Sequence, residues 1–179
     1  LRKAEEGMYQ SKLLEGKIIH NSFFSSLSKI LSEKSFETKA HTERVKHLAL
    51  EIGHTIGLPD EELNGLALLS IWHDVGKIAL PEEILRRRDP LTEEEQKIIR
   101  KHPEIGYRIA DSSNELVSIA EAILAHHERW DGNGYPLGLK GNSIPLISRI
   151  VSLADAYEVM TDGRPYKGTK NRQSALEEI

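Results

Sequence analysis

Eight histidines occur in a chain of 179 residues that contains no cysteine, and most of those histidines stand beside a carboxylate or a second histidine. Any metal held here must use nitrogen and oxygen donors, since disulfides, thiolate catalysis, iron–sulfur clusters and Cys-type zinc sites are excluded together. The sharpest pair is His73-Asp74 in WHDVGK. Adjacent residues on an α-helix diverge by about 100°, so one ion takes both side chains only at a distorted helix end. Gly76 supplies such an end. Alternatively the carboxylate bridges two ions while the neighbouring imidazole binds one of them, the start of a two-metal site. His126-His127 closes another apolar segment just before a glycine-rich stretch, where two imidazoles could serve two neighbouring metals. Glu37 and His41 share a helix face at i, i+4. His102 stands beside Pro103 at a helix boundary, and Asp155 is a carboxylate in an otherwise apolar helix. These residues offer seven donors, or eight with Glu37, enough for two or three hard or borderline cations. Iron and manganese suit that mixture. His20, His47 and His54 read as solvated surface residues.

The elements that must position these groups are helical. Val45, Leu48, Ala49, Ile52 and Ile56 recur at helical spacing within 36–56, and Gly57-Leu58-Pro59 stops that helix. Asp60 is expected to cap the next, which carries Leu63, Leu66, Ala67 and Leu69 towards Gly76. Thr92 and Glu95 have the spacing of a capping box. Residues 116–127 predict one apolar, central helix. The stretch 129–143, with Gly132, Gly134, Gly138 and Gly141, predicts a structured loop. Pro145 suits the first turn of a helix through Ile147, Ile150, Val151 and Ala154. Alternating strand patterns are absent, so the expected fold is an all-α bundle.

Composition narrows the function. With 39% hydrophobic and 29% charged residues the chain has the balance of a soluble globular domain. A net charge of -4 opposes duplex nucleic-acid binding, which relies on neutralising many phosphates. A small phosphorylated ligand needs only a local cluster of positive charge. No apolar run approaches the roughly 18 residues of a spanning helix. The reading is therefore a cytoplasmic protein without membrane contact from this segment.

WHDVGK together with HHERWDGNGYP resembles the paired signatures of the HD-GYP family, metal-dependent phosphohydrolases of the HD superfamily. The resemblance runs from Phe36 to Lys167 and includes ETKAHTERV, KHPEIGYRI and RIVSLADAYEVMTDGRPYK. It implies an HD-type helical bundle with a glycine-rich loop at the metal site. His41, His73, Asp74, His102, His126, His127 and Asp155 then match the family's metal ligands, with Asp74 bridging. Glu37 matches the extra ligand of members resembling three-metal enzymes. Lys77 matches a lysine that assists protonation of the leaving group, and Arg164 and Lys167 match contacts to the ligand phosphate. Gly134 and Tyr135 are expected to shape the substrate edge, and Asp131 to orient a ligand imidazole. The implied activity is hydrolysis of cyclic di-GMP to pGpG and onward to GMP by a metal-activated hydroxide. The alternatives are a non-catalytic sensor of cyclic dinucleotides and a phosphohydrolase acting on another nucleotide. Residues 1–20 read as a linker helix whose KAEEGMYQSKLLEGK resembles the closing helix of GGDEF domains. Residues 21–179 are then the HD-GYP domain, truncated at its C-terminus. An upstream GGDEF or sensory domain and a homodimer are the partners this arrangement admits.

Overall fold

Val45, Ala49 and Gly53 form the buried stripe of a 17-residue helix, Lys39–Thr55, labelled α2 because residues 25–34 are already helical (α1). The computed structural model describes residues 25–34, 38–162 and 170–179. The expected linker helix 1–20, His20, Glu37, Arg164 and Lys167 lie outside the described residues. Among the described residues every regular element is helical, as the periodicity predicts. After α2 come α3 (Asp60–Trp72), a 3-10 turn (Val75–Ala79), α4 (Glu82–Leu85) and α5 (Glu93–Ile99). They are followed by α6 (His102–Asp111), α7 (Ala120–Ala125), α8 (Leu146–Asp162) and α9 (Arg172–Glu178).

The core gathers where α2, α3 and α8 pack on one another. Val45, Ala49, Leu66, Leu69 and Val151 are fully excluded from solvent there, joined by Leu116 and Ile119 from the segment leading into α7 and by Ile123 within α7. α6 lies against both α7 and the 3-10 turn that follows His73-Asp74. Lys34 on α1 donates to the carbonyls of Ile78 (2.7 Å) and Leu80 (3.1 Å), fastening α1 to the end of that turn. No helix among the described residues is long and apolar enough to cross a membrane.

Two local expectations need correction. Asp60 is the first helical residue of α3 rather than its cap; Pro59 stands at the cap in extended conformation. Asp60, Glu61 and Glu62 still occupy the first turn, where carboxylates oppose the positive end of the helix dipole. The predicted single helix over 116–127 is broken: a 3-10 turn (Val117–Ile119) precedes α7. β-Branched Val117 and Ile119 are weak helix formers. Ile119 takes φ -113° and ψ 5°, so regular α geometry starts only at Ala120.

The capping box at α5 forms as its spacing predicts. Glu95 N–H donates to the Thr92 hydroxyl (3.3 Å), and Thr92 N–H donates to the Glu95 carboxylate (2.9 Å). Since α5 leads directly into His102, Thr92→Ala is expected to lower stability by about 1 kcal/mol. The denaturant midpoint should fall with an unchanged slope.

Candidate metal centre

Three histidines sit where helices end, and each ring turns back to the same kind of partner. His73 follows α3 and its Nδ1 lies 3.2 Å from the Ser70 carbonyl. His102 follows α5, with Nδ1 2.7 Å from the Ile99 carbonyl. His126 follows α7, with Nδ1 2.5 Å from the Ile123 carbonyl. The last carbonyls of a helix lack an intrahelical donor, and a carbonyl can only accept. Nδ1 must therefore carry the proton in each ring, and Nε2 presents its lone pair on the other side.

Those Nε2 atoms meet at Asp74. Asp74 Oδ1 lies 3.0 Å from His102 Nε2 and 3.8 Å from His126 Nε2, while Oδ2 lies 3.2 Å from His73 Nε2 and 2.7 Å from Lys77 Nζ. One donor atom each from Asp74, His102, His126 and His127 falls within 4.8 Å of the others. His102 and His126 Nε2 are 3.1 Å apart, a separation that suits two lone pairs only when a proton or a cation shares them. Asp74, His73, His102 and His126 are all buried. The C-terminal ends of α3 and α7 and the junction of α5 with α6 thus bring these rings to Asp74.

A second donor pair stands beside the first. His41 Nε2, from α2, and Asp155 Oδ1, from α8, approach to 3.2 Å, yet both are buried and neither makes a hydrogen bond. Asp74 Oδ1 is likewise buried without one. Orphaned lone pairs that converge in a buried place are costly unless something electrophilic occupies it. A divalent cation fits that description, and the donor set is suited to one.

Electrostatics follow from burial and crowding. Burial pushes the Asp74 carboxyl up, but Lys77, His73 and His102 outweigh it and hold it well below the usual carboxylate range. Burial, reinforced by His127, drives His126 well below the ordinary imidazole value, and burial with His102 takes His127 down to about 3. Both rings are thus neutral near pH 7, the form a metal requires. For His41 burial lowers the value, but the Asp155 and Glu158 carboxylates overcome that and raise it. Asp155 is pushed up by burial and down by His41 and His73, with a net fall.

Beside His127 stand Tyr135 and Arg100. Tyr135 stacks on His127, ring centroids 4.8 Å apart, and the Arg100 guanidinium lies over the other part of that assembly, 5.2 Å from the Tyr135 centroid. Burial and the charge of Asp74 push the Tyr135 phenol up to about 12. Gly134 is required by proximity: a Cβ there would sit 2.3 Å from Arg129 N and 2.5 Å from Glu128 Cα.

Residues 25–179 match the HD domain family. The chain belongs to that family. As an HD domain it is similar to the cyclic di-GMP phosphodiesterase of Thermotoga maritima, 42% identical over 153 residues that make up 84% of this chain and 42% of that protein. It is 36% identical over 156 residues to the 3'3'-cGAMP-specific phosphodiesterase 2 of Vibrio cholerae, covering 86% of this chain and 30% of the relative. The HD domain thus spans less than half of the curated relatives it matches. The solved HD domain of the L. monocytogenes phosphodiesterase PgpH superposes with a TM-score of 0.61 at 22% identity, over 84% of this chain and 79% of that one, a likeness of fold.

Within this HD domain the structure brings together Asp74, His102, His126 and His127, with His73 and Lys77 on Asp74 and with Tyr135 on His127. It places His41 and Asp155 as a separate pair. His47 and His54 are exposed, as their surface reading expects. Asp131 does not orient a ligand imidazole: it is half-exposed and accepts from Arg129 and from the Asn133 amide. Buried Glu128 takes the organising part in that loop, accepting from the amides of Leu137 (2.6 Å), Gly138 (3.1 Å) and Leu139 (2.9 Å). Glu128 was legible as the residue after His127, but nothing in its spacing reveals three amide partners. Arg100 and Glu158 are also contacts that the sequence reading misses.

Proposed function

We propose that residues 21–179 are an HD-GYP-type phosphodiesterase domain that opens cyclic di-GMP to linear pGpG and carries it onward to GMP. The observation that supports this reading most is the convergence of Asp74 with four histidines, the orphaned Oδ1 of Asp74 included. The kinship with phosphodiesterases of cyclic dinucleotides supplies the substrate class. His73, Asp74, His102, His126, His127, His41 and Asp155 would hold two divalent ions, with Glu37 available for a third; iron and manganese suit them. Such ions, when bound, lower the pKa of water and neutralise charge developing on the phosphate.

The chain's own residues do the rest. Asp74, ionised and buried, faces the Nε2 lone pairs across the place a cation would take. Lys77, held 2.7 Å from Asp74 and mostly shielded, keeps a proton beside the phosphate. As water adds to phosphorus and the bond to the ribose 3' oxygen breaks, that oxygen leaves as an alcohol by taking the proton. Tyr135 stays protonated far above neutrality and offers a hydroxyl donor at the edge. Arg100, exposed over the Tyr135 ring, is placed to meet an incoming phosphate or base; Arg164 and Lys167, which lie outside the described residues, are the further phosphate contacts that the family resemblance implies. The setting is cytoplasmic, with an upstream GGDEF or sensory domain and a homodimer as partners.

The test is turnover. Protein purified anaerobically and loaded with Fe(II) or Mn(II) is expected to convert cyclic di-GMP to pGpG, followed by chromatography. A second reading, preference for a mixed cyclic dinucleotide, is favoured by the resemblance to the 3'3'-cGAMP-specific enzyme. Faster turnover of 3'3'-cGAMP in the same assay would select it. No linear product from either, with metal bound, would sink both and leave the non-catalytic sensor.

A further inference from the structure

The three histidines at helix ends are held by backbone carbonyls, but His41 has no such partner. It lies in the first turn of α2, where its own amide donates to the Thr38 hydroxyl. Its Nδ1 instead meets the Glu158 carboxylate, which reaches across from α8. Glu158 is 4% exposed, an environment in which a carboxylate is costly unless it is paired. Arg44 supplies the pairing: its Nε donates to Glu158 Oε1 at 2.7 Å, and its terminal nitrogen also reaches Oε1 and the Asp162 carboxylate. One turn above Asp155 on α8, Glu158 thus touches His41 and Arg44, one turn apart on α2.

We propose that Glu158 is the positioning residue of the His41–Asp155 pair, holding His41 as the Nδ1–H tautomer so that Nε2 is free to bind a cation, with Arg44 fixing Glu158. The inference rests on the metal reading above. Glu158 does for His41 what the Ser70, Ile99 and Ile123 carbonyls do for His73, His102 and His126. The role matters because Asp155 competes for the same ring. Without Glu158, His41 would place its proton on Nε2 and donate it to Asp155 at 3.2 Å, closing the pair on itself. The link also spans α2 and α8, so the geometry of the pair is set by their packing.

The experiment uses the full chain stripped of metal and then titrated with Mn(II), counting bound equivalents. Nitrogen-15 spectra of the metal-free imidazoles in alkaline buffer report the tautomers. Wild type is expected to bind two equivalents and to show Nδ1–H at His41. Glu158→Gln, which keeps the volume, should move His41 towards Nε2–H and weaken one equivalent about 10–100-fold, the scale for losing a partner behind a ligand. The other equivalent should be unchanged. Arg44→Met, which leaves the buried carboxylate in place, should weaken the same equivalent less. An unchanged His41 tautomer, or equal weakening of both equivalents, would overturn the role of Glu158 while leaving the metal reading intact. Wild type that binds no Mn(II) would overturn the metal reading, and the inference with it.

Discussion

Asp74→Asn is expected to lower cyclic dinucleotide turnover by about 10²–10³-fold, the scale of removing a group on which charge stabilisation in the reaction depends. The size of the effect follows from how much converges on one carboxylate. Lys77 at 2.7 Å, His102 at 3.0 Å and His73 at 3.2 Å all face it, and His126 lies 3.8 Å away. Those partners hold Asp74 ionised despite its burial. Asparagine has the same shape but carries no charge, and its amide nitrogen must point a donor at Lys77 or at an imidazole. Lys77 is then left with a diminished counter-charge, and a cation held among the imidazoles loses its anionic ligand. Metal affinity should fall with activity, by more than the ~10–100-fold that follows loss of a supporting contact alone. Product formation, bound-metal analysis and far-ultraviolet dichroism together check this. A variant that keeps the helical signal and binds no metal yet turns over at the wild-type rate would show that chemistry does not pass through Asp74. A variant that loses turnover but keeps signalling in cells would favour the sensor.

How much of this was legible beforehand differs by residue. The helices were readable because Val45, Ala49, Leu66, Leu69 and Val151 repeat with the helical period and are the buried positions. The Thr92–Glu95 box was readable because it is wholly local. His73, Asp74, His102, His126 and His127 stood out by type and by their place at segment ends, and the fold unites them. What the sequence could not show is the basis of that union: Nδ1 atoms tied to the carbonyls of Ser70, Ile99 and Ile123, which look like ordinary core positions. Glu158 was missed for a similar reason. It sits three residues after Asp155, between Tyr157 and Val159, with no motif to mark it, and only the packing of α8 on α2 reveals that it is buried against His41. Asp131 erred in the opposite direction. Its nearness to the histidine pair in sequence suggested an imidazole partner, but Arg129 and the turn amide at Asn133 satisfy it locally. Long-range polar contacts have no period, so pattern reading is silent about them.

Gly76→Ala is expected to cost about 3 kcal/mol or more and to disable the site in whatever fraction stays folded. A Cβ at Gly76 would stand 1.9 Å from the His102 carbonyl oxygen and 2.6 Å from Gly106 N, both backbone atoms that no rotamer change can move. Real Cβ atoms essentially never approach within 3.0 Å, so the 3-10 turn and the start of α6 must part by about 1 Å. Overpacking against a rigid neighbour ordinarily costs 1–3 kcal/mol, and backbone on both sides leaves little room to relax. That parting acts on the two halves of the donor set, since Asp74 precedes the turn and His102 opens α6. A 1 Å misplacement of reacting groups costs on the order of 10²-fold in rate, so turnover of the folded fraction should fall by about that factor. Gly65→Ala is the matching control. Gly65 lies inside α3, where its Cβ would meet nothing closer than the Ile147 side chain at 3.4 Å. Alanine there should change stability by no more than about 1 kcal/mol, in the stabilising direction if Ile147 gives way. Denaturant midpoints for the two variants separate the explanations. If Gly76→Ala matched the wild type as Gly65→Ala should, the close crossing of the turn over α6 would not be the contact that holds Asp74 against His102.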